Sequence, residues 1–102
     1  MFYIYILFSR AFDKFYIGYT RDYRQRLIQH NTQDFHHTFT SKYRPWELAA
    51  VFEAGTHEGE VMKLEKFIKK QKSRRLLEQL ADSSFIPTGY LAQLVRVPHL
   101  RD

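Results

Sequence analysis

Cysteine is absent from the 102 residues of this chain, which excludes disulfides and thiolate-held zinc and fits a reducing, cytoplasmic setting. Glycine and proline are scarce, at four and three residues, so the chain is neither collagen-like nor low-complexity. Long apolar runs are also missing. The opening MFYIYILF stops at Ser9 and Arg10, well short of the roughly 20 residues a membrane helix needs, and no basic region precedes it as in a secretory signal. It reads as a buried strand, and no membrane partner is expected. Acidic residues are outnumbered, eleven against sixteen Lys and Arg, for a net charge of +5. That excess points to an anionic partner, of which nucleic acid is the commonest, with DNA first in view.

What is present argues for one folded domain: 44% of residues are hydrophobic and 17% aromatic, enough for a single core at this length. Phe2 to Phe8 is rich in β-branched and aromatic residues, as in a strand covered on both faces. Phe15 to Tyr19 resumes that composition after the polar turn Ala11 to Lys14, so the two read as an antiparallel hairpin. Thr20 then offers an N-cap hydroxyl, and Tyr23, Leu27 and Ile28 recur at helical spacing. Thr32 to Tyr43 has no apolar period and reads as a loop. Trp46 to Phe52 is a third strand, entered through Pro45. Thr56 is placed to cap a second helix with Val61, Leu64 and Ile68 on one stripe, and Ser73 a short third one. The expected architecture is α+β, a three-stranded, largely antiparallel sheet flanked by helices. Residues 1–82 form the domain and 83–102 a tail, docked or disordered; its two prolines and short LAQLV patch suggest a small contribution to the core.

Basic residues cluster. Between Lys63 and Arg75 there are seven Lys and Arg against Glu65 alone, and Lys66, Lys69, Lys70, Lys72, Arg74 and Arg75 are the candidate nucleic-acid surface. A solvated helix face explains them equally well.

Smaller signals lie beside the apolar stripes. Arg26 and His30 stand i, i+4 on the first helix, flanking its core residues. Glu65 borders the buried stripe of the second helix, and Tyr5 and Tyr16 lie on neighbouring strands. Singly, each has an ordinary explanation: strand tyrosines are most often core aromatics, Arg26 can pair with Asp22 and Glu65 with Lys69 at i, i+4, and His30 suits a helix C-terminus.

Together they carry a resemblance. The segments YIYIL, FYIGYT and RQRLIQHN, then TSKYRPWEL and LEKFIKKQKSRR, resemble in order the GIY-YIG nuclease superfamily. The nearest likeness is to its small stand-alone bacterial group, sometimes labelled excinuclease-type domain proteins. The likeness runs from Phe2 to about Leu80. It implies a divalent-metal-dependent endonuclease hydrolysing phosphodiester bonds, with Tyr5, Tyr16, Arg26, His30 and Glu65 as catalytic residues, Glu65 as the metal ligand and Gly18 as the motif glycine. The first motif, Tyr3-Ile4-Tyr5, lacks its glycine, and Tyr19 stands where some repair nucleases carry lysine.

The residue types suit that chemistry. Hydrolysis needs an activated water, compensation of phosphoryl charge and help for the leaving oxygen. Tyr5 or Tyr16 would activate water, Arg26 hold the phosphate and His30 accept or deliver a proton. A lone carboxylate suits Mg²⁺ or Mn²⁺, whose other positions go to water and phosphate oxygen. The alternative, from another class, is a module that keeps the fold and binds nucleic acid without cutting it.

Overall fold

Strand alternation divides the protein into two layers around one sheet. The computed structural model describes residues 1–32 and 39–98. Strand β1 (Phe2–Ser9) turns through a hairpin into β2 (Lys14–Thr20), followed by helix α1 (Tyr23–Thr32), the one-turn helix α2 (Phe39–Lys42), strand β3 (Glu47–Gly55) and helices α3 (Glu58–Lys70) and α4 (Arg74–Ala81). A 3-10 turn (Gly89–Gln93) and a two-residue strand β4 (Val95–Arg96) follow. The sheet order is β2-β1-β3-β4, and every pairing is antiparallel. The expected class holds, with a fourth strand added. Among the described residues no helix is long and apolar enough to cross a membrane.

Odd and even positions of β1 serve different cores. Ile4 and Ile6, with Ile17, Phe52 and Ala50, pack against Val61, Leu64 and Ile68 of α3 and Leu80 of α4. Tyr5 and Leu7, with Leu48, Val51 and Trp46, form the opposite face, where Tyr16, Tyr23 and Leu27 join them. Leu48 and Val51 share a face despite their odd spacing because β3 carries one extra residue opposite β1: Leu7 pairs with Leu48 and Ile6 with Ala50.

Helix starts follow capping chemistry, though not always at the expected residue. Asp22, not Thr20, caps α1: its Oδ1 accepts from the Gln25 amide at 3.0 Å, while the Thr20 hydroxyl accepts from the Asp22 amide at 3.1 Å. Thr56 does not cap α3, which starts from His57 without a side-chain cap; Glu58 and Glu60 in its first turn and Lys69 and Lys70 in its last complement the helix dipole instead. Ser73 caps α4 as expected, accepting from the Leu76 amide at 3.0 Å. The loop expected from Thr32 to Tyr43 contains α2; its central part, residues 33–38, lies outside the described residues.

The tail corrects the expectation of a small contribution to the core. Leu91 and Leu94 are buried with the α3–α4 cluster. The Val97 amide donates to the Val51 carbonyl at 2.8 Å, and Arg96 donates to the carbonyls of Leu80 and Phe85 at 2.8 and 3.1 Å while stacking over Phe52. The segment is short of apolar residues, but its hydrogen bonds add to the two leucines in offsetting the entropy of ordering it.

Candidate active site

The aromatic face of the sheet holds a buried chain of polar groups. Tyr5 is fully buried and pairs across the hairpin with Gly18. Its ring lies over that glycine: a Cβ at position 18 would stand 2.5 Å from the Tyr5 hydroxyl oxygen and 2.7 Å from Cζ. Gly18 is not among the glycines with positive φ, so the position requires space and not torsional freedom.

The Tyr5 hydroxyl meets His30 Nε2 at 2.9 Å, and His30 Nδ1 meets the Thr40 hydroxyl at 2.9 Å. Both His30 and Thr40 are buried. Burial foremost, then the positive charges of Arg26 and Arg44, hold the His30 pKa down to about 4, so at neutral pH the ring carries one proton. Burial pushes the Tyr5 phenol up to about 12, with Arg26 beside it pulling the other way. A guanidinium only donates. With Arg26 facing the Tyr5 oxygen, the Tyr5 proton points to His30 Nε2, and His30 Nδ1–H donates to Thr40. Tyr5 is thereby a poor base.

The chain around Trp46 fixes His30 in place. Arg44 Nε donates to the His30 carbonyl at 2.7 Å, satisfying an orphan acceptor at the end of α1. Asn31 clasps the Trp46 backbone in both directions, donating to its carbonyl at 2.9 Å and accepting from its amide at 2.6 Å. Trp46 Nε1 donates in turn to the Thr40 carbonyl at 2.7 Å.

Tyr16 occupies the outer position. It is partly exposed, its ring centroid lies 5.0 Å from that of His30 and 6.4 Å from that of Tyr5, and among the described residues its hydroxyl has no hydrogen-bond partner. Arg26 is half-buried and donates to Gln29 Oε1 at 3.2 Å; the Asp22 pairing that its spacing allowed is not made among the described residues. Four of the five sequence candidates therefore converge on one face.

Glu65 does not share that face. The expectation that all five line one concave surface is corrected, because α3 packs on the aliphatic side of the sheet through Val61, Leu64 and Ile68, opposite Tyr5 and Tyr16. β2 is the edge strand, and the Glu65 charge is felt by both Tyr5 and Tyr19. The carboxylate thus acts across the β2 edge, where Gly18 presents no side chain. It is largely buried, and Oε1 pairs with Lys69 at 3.0 Å as the i, i+4 spacing suggested.

The basic cluster is exposed, but its members differ. Lys69 is engaged by Glu65. Arg74 bridges Asp13 at the β1–β2 turn and Glu78. Lys66, Lys70, Lys72 and Arg75 have no ion pair among the described residues.

Comparison with known proteins decides the family. A profile described as the GIY-YIG catalytic domain matches residues 1–78. The chain belongs to the GIY-YIG family. It is also similar to the UPF0213 protein in ldhD 5'region of Pediococcus acidilactici, at 33% identity over 90 residues, 87% of this chain and 90% of that protein. Membership makes this a nuclease-type domain. Three partners of its GIY-YIG site escaped reading from the sequence. Thr40 sits in a stretch without period, and Arg44 and Asn31 act through the backbone, which side-chain type does not announce.

Proposed function

We propose that the protein is a metal-dependent endonuclease hydrolysing phosphodiester bonds in DNA or another structured nucleic acid, a chemistry suited to repair or recombination. The observation that supports it best is the arrangement of a solvent-reaching Tyr16, a half-buried Arg26 and a buried Tyr5–His30–Thr40 chain on one face, with Glu65 acting across the adjacent strand edge. Such buried polar groups cost stability unless fully paired, and a module that only binds nucleic acid has no need of them.

The donor set fits Mg²⁺ or Mn²⁺ held by Glu65. Among the described residues no three His, Asp or Glu form a metal cage, and a single carboxylate leaves the remaining positions to water and phosphate oxygen, as these hard ions accept. Bound there, the ion would supply Lewis-acid charge at the phosphoryl group.

The chain's own residues divide the remaining work. Arg26 neutralises the charge developing on the phosphoryl oxygens. Tyr16, which water reaches, takes the proton of the attacking water. Tyr5 turns its proton to His30 and its oxygen to Arg26, holding the guanidinium in place. His30, neutral at pH 7, keeps that orientation through Thr40. Exposed Lys66, Lys70, Lys72 and Arg75 track the phosphate backbone.

The test is incubation of a panel of branched, nicked and single-stranded DNAs and structured RNAs with the protein in Mg²⁺ or Mn²⁺, beside Glu65→Ala and an EDTA control. Cleavage by the wild type alone is the expected result. Tight binding by both proteins with no cutting would establish the binding module.

A further inference from the structure

Two arginines and one carboxylate face the same space without meeting. A cavity of about 450 Å³ at the C-terminal end of β2 is lined by Phe2, Tyr19, Thr20, Arg21, Arg26 and Glu58, and its volume lies within the range of about 300–1,000 Å³ usual for ligand sites. Each charged group is held by a partner of its own. The Arg21 guanidinium stacks 4.8 Å from the Phe2 ring centroid, Arg26 donates to Gln29 at 3.2 Å, and Glu58 Oε2 accepts from the Tyr19 hydroxyl at 3.0 Å. Among the described residues Glu58 forms no ion pair with either arginine. The cavity is therefore cationic on one wall and acceptor-only on the other.

We propose that this cavity is a subsite for an unpaired guanine, in the nucleotide next to the phosphate held by Arg26, with Glu58 reading the Watson–Crick edge of the base. The proposal rests on the nucleic-acid reading above and adds the identity of the base and its unpaired state. A nucleotide has the matching polarity, with an anion at one end and hydrogen-bond donors at the other. A carboxylate accepts and never donates when ionised. Guanine alone among the common bases offers it two adjacent donors, N1–H and the N2 amino group. Adenine and cytosine set one amino group beside a ring-nitrogen lone pair, which a carboxylate repels, and thymine and uracil flank a single N–H with two carbonyls. In a duplex the guanine edge is already paired, so the base must be unstacked or single-stranded, the state in which proteins read Watson–Crick edges. The Arg21 guanidinium lying on Phe2 is a flat cation against which such a base can stack. The Tyr19 hydroxyl fixes the Glu58 carboxylate before the base arrives and uses one lone pair of Oε2, leaving the others for guanine.

Fluorescence anisotropy tests this with labelled oligo-dT heptamers carrying one central dG, inosine or dA, bound to the full chain in EDTA so that no strand is cut. The dG heptamer should bind about tenfold tighter than the dA heptamer, within the discrimination that a good bidentate base contact supplies, and inosine, lacking the N2 amino group, should fall between. Glu58→Gln should level the three to within about twofold while leaving the melting temperature unchanged, since Glu58 is exposed; Tyr19→Phe should reduce the discrimination in part. Equal affinity for dG and dA, a guanine preference that survives Glu58→Gln, or no binding of any heptamer overturns the subsite. The two readings separate on adding Mg²⁺ or Mn²⁺. Cleavage indifferent to the base sinks the subsite alone, whereas guanine-selective binding without cleavage sinks the endonuclease and leaves the subsite standing.

Discussion

The two faces of the sheet are built from alternate residues of the same strands, yet they solve different problems. The face under α3 and α4 is closed with Ile, Leu, Val and Phe and with the tail's Leu91 and Leu94. The face under α1 and α2 is aromatic and encloses His30 and Thr40 beside Tyr5. The first face supplies hydrophobic stability; the second uses part of it to hold polar groups out of water in one orientation. A single strand can serve both because its side chains alternate. The difference teaches that in this domain stability and orientation can be perturbed separately, and substitutions on the two faces should respond in different measurements.

The largest expected effect on folding comes from the aliphatic face. Leu64→Ala should lower unfolding free energy by about 2–5 kcal/mol in urea titration, with cleavage per folded molecule unchanged. Leu94→Ala should behave in the same way and so tests whether the tail is core. If Leu94→Ala melts like the wild type, the aliphatic face ends at α4.

On the aromatic face the order reverses. Arg26→Ala should reduce cleavage by about 10²–10³-fold, the range for losing one donor to transition-state charge, while shifting stability by no more than about 0.5 kcal/mol. Unfolding with no separate loss of rate would show that Arg26 belongs to the scaffold.

Acid sharpens the contrast. His30 titrates near 4 in the native protein against 6.5 for the ordinary side chain, so the unfolded chain takes up the proton first as pH falls. The His30 contribution to stability is complete above about pH 6.5 and is lost progressively down to about pH 4, by at most about 3 kcal/mol. His30→Gln should flatten the urea midpoint across that window, and a slope unaffected by the substitution would place the titrating group elsewhere.

Gly18→Ala has the smallest expected effect on folding, about 1–3 kcal/mol, because the added methyl group displaces the Tyr5 ring and little else. Cleavage should fall with it, since Tyr5 is the link between Arg26 and His30. A stable, fully active variant would mean that the contact with Tyr5 does not matter.

These same residues mark how far the sequence could be read. The hairpin, the period of α3 and the Ser73 cap were legible because they are local: composition, spacing and a hydroxyl three residues before an amide. Five site residues were legible through a motif. What was hidden is contact at a distance. Thr20 and Asp22 both offer capping oxygens, and only the chain's path into α1 decides between them. Thr40 meets His30 across a segment with no apolar period, and Glu65 belongs to the other layer, a fact that strand and helix order alone does not state. Leu91 and Leu94 looked too few to order a tail because the hydrogen bonds of Arg96 and Val97 are not visible in composition.

The division of labour between the two tyrosines is the center of the account, and single-turnover cleavage of one labelled substrate tests it most directly. With Mn²⁺ present, wild type, Tyr16→Phe and Tyr5→Phe would be compared between pH 6 and 9. The solvent-reaching Tyr16 as base predicts a loss of about 10²-fold or more for Tyr16→Phe, and a smaller loss, about tenfold, for Tyr5→Phe, whose phenol is neutral throughout that range with its pKa near 12. Tyr16→Phe cutting as fast as the wild type, or a wild type that binds the substrate and never cuts it, would contradict the account.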